Sequence, residues 1–171
     1  MEIGKRDTSK RRKALRNSCL IAVFAALSFV ANAFLAIPYP GGSGFFCFGD
    51  CFALLSGGLF GPFVGAAVGM ISGVGADLYA GSAIFIPFTL LAKGCLGAIP
   101  YALMRLSKSK ILAYSSFFIA GIAMALCYMP SYLIYFGAPY LVNSAFDLIQ
   151  GVGCAAVSAI LYAPLSKALK P

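Results

Sequence analysis

Apolar residues run along this chain in long blocks, broken by short clusters of Pro, Gly and charge. They do not alternate with polar residues as half-buried strands would. The blocks predict helices over about 18–36, 49–60, 63–79, 84–104, 111–129 and 141–166. The breaks between them are "IPYPGGSGFF" (37–46), Gly61-Pro62, "RLSKSK" (105–110) and "PSYLIYFGAPY" (130–140). A membrane span needs about 20 predominantly apolar residues. A chain of 171 residues therefore holds about six such helices and no separate soluble domain. The fold class expected is an all-α membrane protein of six transmembrane helices. A basic tail (1–17) precedes a single membrane domain (18–167), and a β-barrel is disfavoured by the lack of alternation.

Composition strengthens this reading. The chain is 61% hydrophobic and 11% charged, with a mean hydropathy of +0.90, against about 25% charged in ordinary soluble domains. Charge also orients the helices. Seven of the thirteen Lys and Arg lie in residues 1–16, three in 105–110 and two at Lys167 and Lys170. With six spans and a cytoplasmic N-terminus, all twelve fall on one side, the positive-inside pattern, and both termini face the cytoplasm. The bilayer accounts for the basic residues, and no nucleic-acid partner is expected. "ANA" at 31–33 imitates a signal-peptide cleavage site. The apolar run continues through Ile37, however, which suits a retained span better.

Polar residues inside spans are the next signal, because a charge near the bilayer centre is costly and normally faces the bundle interior or a wet cavity. Asp50 opens the second helix, Asp77 ends the third, and Asp147 lies six residues into the sixth. In the predicted topology all three fall in the outer half. Asn143, Asp147 and Gln150 share one helix face by their i, i+4, i+7 spacing. Lys93 is the one basic residue within a span, and its stem can reach toward the same level. Convergence of these side chains predicts an outward-facing pocket. Blander readings stand beside it: Asp50 as an interfacial cap, Asp77 and Lys93 as a structural ion pair, and the 143–147–150 stripe as interhelical glue. Tyr79, Tyr128, Tyr132, Tyr135 and Tyr140 sit near the outer end, either to stack on a flat ring or as an interfacial aromatic belt.

Small residues mark packing faces. Gly61, Gly65, Gly69 and Gly73 form a four-residue stripe on the third helix, expected to pack within the bundle. Ser18, Ala22 and Ala26 repeat the period on the first helix, where internal packing and a partner's helix are both open. The six cysteines read as small apolar fillers, with a Cys47–Cys51 disulfide as the alternative. A lone C-x3-C is no zinc site, so no metal or cofactor is expected. The chain has no phosphate loop for ATP hydrolysis. It has no histidine to activate a Ser or Cys nucleophile. An enzyme is not expected.

The residues "FGDCFALLSGGLFGPFVGAAVGMISGVGADLYAG" and "IPFTLLAKGCLGA" together resemble the membrane S-component of energy-coupling factor (ECF) vitamin transporters. The likeness is carried by about 18–104; the last two spans match in topology only. It implies six helices and a lid-like outer loop (37–48) over a vitamin pocket in a bacterial plasma membrane. It also implies docking through Ala22 and Ala26 on a transmembrane coupling subunit driven by two cytosolic ATPases. The Gly-Asp, Ala-Asp-Leu and Lys-Gly pattern resembles most the branch for vitamin B6 or thiamine precursors, with riboflavin as the alternative. The expected substrate-binding residues are Asp50, Asp77, Lys93, Asn143, Asp147, Gln150, Tyr79 and Tyr132. Up to three carboxylates against one lysine favour a neutral or cationic ligand. Two rival functions are a proton-coupled transporter using Asp77 or Asp147 as relay, and a ligand-free assembly subunit.

Overall fold

The computed structural model describes residues 2–39, 45–106 and 109–168, with side chains from Lys10 onward. The middle of the predicted lid (40–44), part of the basic loop (107–108) and Lys170 lie outside the described residues. The described residues form six α-helices: α1 (Glu2–Phe34), α2 (Asp50–Phe60), α3 (Pro62–Tyr79), α4 (Ile86–Leu106), α5 (Lys110–Tyr135) and α6 (Asn143–Ala168). Short 3-10 turns at Ala83–Phe85 and Ala138–Val142 precede α4 and α6. The predicted tail is a continuation of α1, along which Lys10, Arg11, Arg12, Lys13 and Arg16 are exposed.

Among the described residues five helices are long and apolar enough to cross a membrane, which fits a multi-pass membrane protein. The exception is α2, the short helix expected over 49–60. α2 has 11 residues, a length of roughly 16 Å against a hydrocarbon core of about 30 Å. Gly61 breaks α2 from α3 with φ +122°, a conformation that side chains resist, and Pro62 then starts α3 at its first turn. The 130–140 segment is corrected as well: α5 runs through Pro130 to Tyr135. Spanning helices tolerate proline within a packed bundle.

The core is built on fully buried Leu54, Val64, Val68, Leu96, Phe117 and Met124. Around it the helices touch backbone to backbone. A Cβ on Gly65 would stand 2.2 Å from the Gly97 carbonyl oxygen, and one on Gly97 2.0 Å from that of Gly65. Gly121 and Gly151 meet in the same reciprocal way between α5 and α6. The glycine stripe of α3 therefore packs internally at Gly65, Gly69 and Gly73, whereas Gly61 is the turn. On α1, Ala25, Ser28 and Asn32 are buried while Ala22 and Ala26 are exposed. The small-residue stripe thus faces away from the bundle.

One structure outside the helices closes an end of the bundle. Strands β1 (Ile37–Pro38) and β2 (Phe45–Phe46) pair antiparallel, Ile37 opposite Phe46 and Pro38 opposite Phe45. The chain then enters α2 through Gly49, which α1 clasps. The Gly49 amide donates to Asn32 Oδ1 at 2.7 Å, and the Ser28 hydroxyl donates to the Gly49 carbonyl at 2.8 Å.

Candidate functional site

Beneath this hairpin the polar residues of five helices meet. Asp50 begins α2 pointing inward, and it is 2% exposed, so it is no interfacial cap. Lys93 on α4 donates to both its oxygens, at 2.7 and 2.8 Å. This rules out the Asp77–Lys93 ion pair that stood as the blander reading. A buried ammonium needs a carboxylate at contact distance, and α2, not the end of α3, supplies it. Lys93 also lies 3.7 Å from Met124 Sδ and 5.8 Å from the centre of the Tyr128 ring. Asp77 is held instead by a relay of hydroxyls: Tyr128 donates to Thr89 at 2.9 Å, and Thr89 donates to Asp77 Oδ2.

On α6 the predicted face is partly engaged here. The Gln150 amide donates to Asp50 Oδ2 at 2.6 Å, and its oxygen accepts from the Cys47 amide at 2.8 Å. Asp147 Oδ1 accepts the Tyr39 hydroxyl at 2.7 Å. Its other oxygen, Oδ2, is buried and makes no hydrogen bond of good geometry, although the Tyr132 hydroxyl interacts with the same carboxylate. Tyr39 hangs from the hairpin into the bundle, 3% exposed, with its ring 4.8 Å from that of Phe46 and 5.1 Å from that of Phe146. Burial first, and the Asp147 carboxylate second, push the Tyr39 phenol far above its ordinary range, so it remains a donor. Burial likewise pushes the Cys47 thiol up to about 12.

These groups enclose a cavity of about 40 Å³, which holds water but no heteroaromatic ring. Of the predicted site residues, Asp77, Lys93, Tyr132, Asp147 and Gln150 line it. Asp50 stands one bond behind, gripping Lys93 and Gln150. Asn143 is buried on the same α6 face but outside the lining. Tyr79 is a correction: it is 65% exposed and packs on Phe29, because the end of α3 turns it outward. Sequence reasoning named the lid but missed that Tyr39, Phe45 and Cys47 reach down from it, and it missed Ser82 and Phe85. The one signal available was an aromatic set in a Pro/Gly loop.

All six cysteines are thiols, and Cys47 and Cys51 make separate contacts: Cys51 donates to the Cys154 carbonyl, Cys154 to that of Cys47. No cluster of His, Cys, Asp and Glu among the described residues could hold a metal. The arrangement offers hydrogen-bond acceptors and aromatic walls to a ligand. Among the described residues it holds no nucleophile–base pair.

Comparison with known proteins agrees with this architecture. None of the curated protein sequences matches the chain. A solved structure of the S component of a bacterial ECF transporter matches with a TM-score of 0.76 at 23% identity, covering 92% of this chain and 99% of that one. That likeness speaks for the fold. The family model described as ECF-type riboflavin transporter, S component, matches residues 13–171, and the chain therefore belongs to that family of transporter subunits.

Proposed function

We propose that this chain is the high-affinity capture subunit of an ECF-type vitamin uptake transporter. Its ligand is a small heteroaromatic vitamin bearing a cationic or hydrogen-donating nitrogen, of the vitamin B6 or thiamine-precursor class. One observation carries the ligand class: Lys93 is fully engaged by Asp50, while the buried Asp147 carboxylate faces the cavity with only the Tyr39 and Tyr132 hydroxyls beside it and no cation of its own. A site of that kind lacks an available cation for phosphate or carboxylate and offers an acceptor to a donor. Tyr132 and Phe85, whose ring centres stand 5.9 Å apart, supply an aromatic wall for a flat ring.

The rest of the assignment follows the family. The bundle sits in a bacterial plasma membrane with both termini in the cytoplasm and the hairpin outside. The exposed Ala22 and Ala26 face docks on a transmembrane coupling subunit served by two cytosolic ATPases. Riboflavin is the second reading, and the family description favours it.

Calorimetric titration of the purified protein in mild detergent separates the two. Pyridoxine, pyridoxamine, an aminopyrimidine and riboflavin form the panel. Tightest binding of a pyridine or pyrimidine is the expected result. Tightest binding of riboflavin replaces the ligand, and heat from none of them returns the chain to the proton-coupled alternative.

A further inference from the structure

A second cavity, of about 380 Å³, adjoins the first and shares Cys47 and Gln150 with it as a common wall. It lies between the end of the hairpin, the start of α2 and the 149–157 stretch of α6. Ile37, Phe48, Ile149 and Val157 line it and are each about half exposed. The cavity is thus continuous with the apolar outer face that α6 extends through Val152 and Ile160.

Its polar groups are all engaged elsewhere. Gln150 uses its amide on Asp50 and its oxygen on the Cys47 amide. The Cys51 and Cys154 thiols face backbone carbonyls at 3.7 and 3.6 Å. Water needs two to four polar partners to occupy such a space and finds none free. A vitamin ring with polar substituents meets the same obstacle. Hydrocarbon does not. At about 30 Å³ for a water-sized group, the volume takes roughly a dozen such groups in a row, the scale of much of one acyl tail.

We propose that this lateral cavity binds one acyl chain of a phospholipid from the surrounding leaflet, and that the chain supports the Cys47–Gln150 wall. Lipid occupancy is then linked to ligand binding on the other side of that wall. The link, though not the lipid site, rests on the first cavity being the vitamin site.

Gly153 provides the test. It lines the cavity, and a Cβ added there meets nothing within 4 Å. Gly153→Phe thus fills the space without displacing backbone. The full chain in lipid nanodiscs is irradiated with a phosphatidylethanolamine bearing a mid-chain diazirine, with a free fatty acid of the same tail as a parallel probe. Adducts on peptides covering 46–51 and 149–157, several-fold fewer in Gly153→Phe, are expected from the phospholipid. Adducts absent from these peptides, or equal in the variant, overturn the site. Preferential labelling by the free acid, or cross-links between two copies of the chain there, overturn the occupant. Titration with the vitamin then tests the link. Delipidated wild type should lose affinity several-fold and regain it with phospholipid, while Gly153→Phe is indifferent. Affinity unmoved by lipid overturns the link alone. Failure of every vitamin to bind overturns the capture reading and leaves the cross-linking result standing.

Discussion

Lys93 and Asp50 face each other across the contact of α4 with α2, the ammonium bridging both carboxylate oxygens with each side chain at most 3% exposed. Removing one member of a buried pair strands the other, at a cost of about 3–5 kcal/mol. Asp50→Asn is expected to lower the thermal midpoint in detergent by roughly 6–20 °C, at about 2–4 °C per kcal/mol for a chain of this size. The double change Asp50→Leu with Lys93→Met should recover most of that loss. A single variant as stable as the wild type would show that the pair does not hold α2 to α4.

Asp147 carries the ligand prediction. A hydrogen bond to a charged group contributes about 1.5–3 kcal/mol, so Asp147→Asn should weaken a cationic or donating vitamin by roughly 10- to 100-fold. The bundle should keep its melting behaviour. Calorimetry on both proteins checks it, and equal dissociation constants would remove Asp147 from the site.

Cys47 reports on the hairpin. Its buried thiol titrates near 12 against an ordinary 9.0. Between those values the folded state keeps a proton that the unfolded chain has lost, so this group's contribution to stability declines as pH rises from about 9 to about 12. At pH 8 the thiolate is scarce and shielded. Maleimide should leave Cys47 unmodified in the folded protein and modify it fully in denaturing detergent, as read by peptide mass. Rapid labelling of the folded protein would mean that the hairpin does not stay closed.

The exposed side of α1 separates binding from transport. Ala22→Trp or Ala26→Trp places bulk on a face that touches nothing inside the bundle. Vitamin affinity should be unchanged within about twofold, while uptake by cells carrying the whole transporter falls at least about tenfold. The approximate figures rest on a rim substitution leaving a distant site intact. Normal uptake would move the docking face elsewhere.

Much of this architecture was legible in the chain because bilayers impose simple rules. Runs of apolar residues located the helices, and the glycine stripe correctly announced close backbone packing at Gly65, Gly69 and Gly73. One local rule failed for a physical reason. Pro130 reads as a helix end in water, yet within a bundle the helix passes through it. The short second helix, by contrast, was legible within a residue of its bounds, because Gly61-Pro62 punctuates it. In the candidate site, spacing could group Asp147 with Gln150 because both lie on one helix. Which carboxylate meets Lys93 depends on how three helices pack, and no periodicity encodes that. Tyr39 was least legible, since a side chain in a Pro/Gly loop has no register to place it.

That tyrosine changes what an affinity would mean here. Its phenol already stands against Asp147, in a space that otherwise admits little more than water. On the reading proposed above, the vitamin does not fall into a vacant receptacle but displaces an incumbent. A measured dissociation constant is then an exchange equilibrium between two aromatic guests, one tethered and one free. The tethered guest sets the baseline, so changes at residue 39 would rescale selectivity across every vitamin without touching any group that names one.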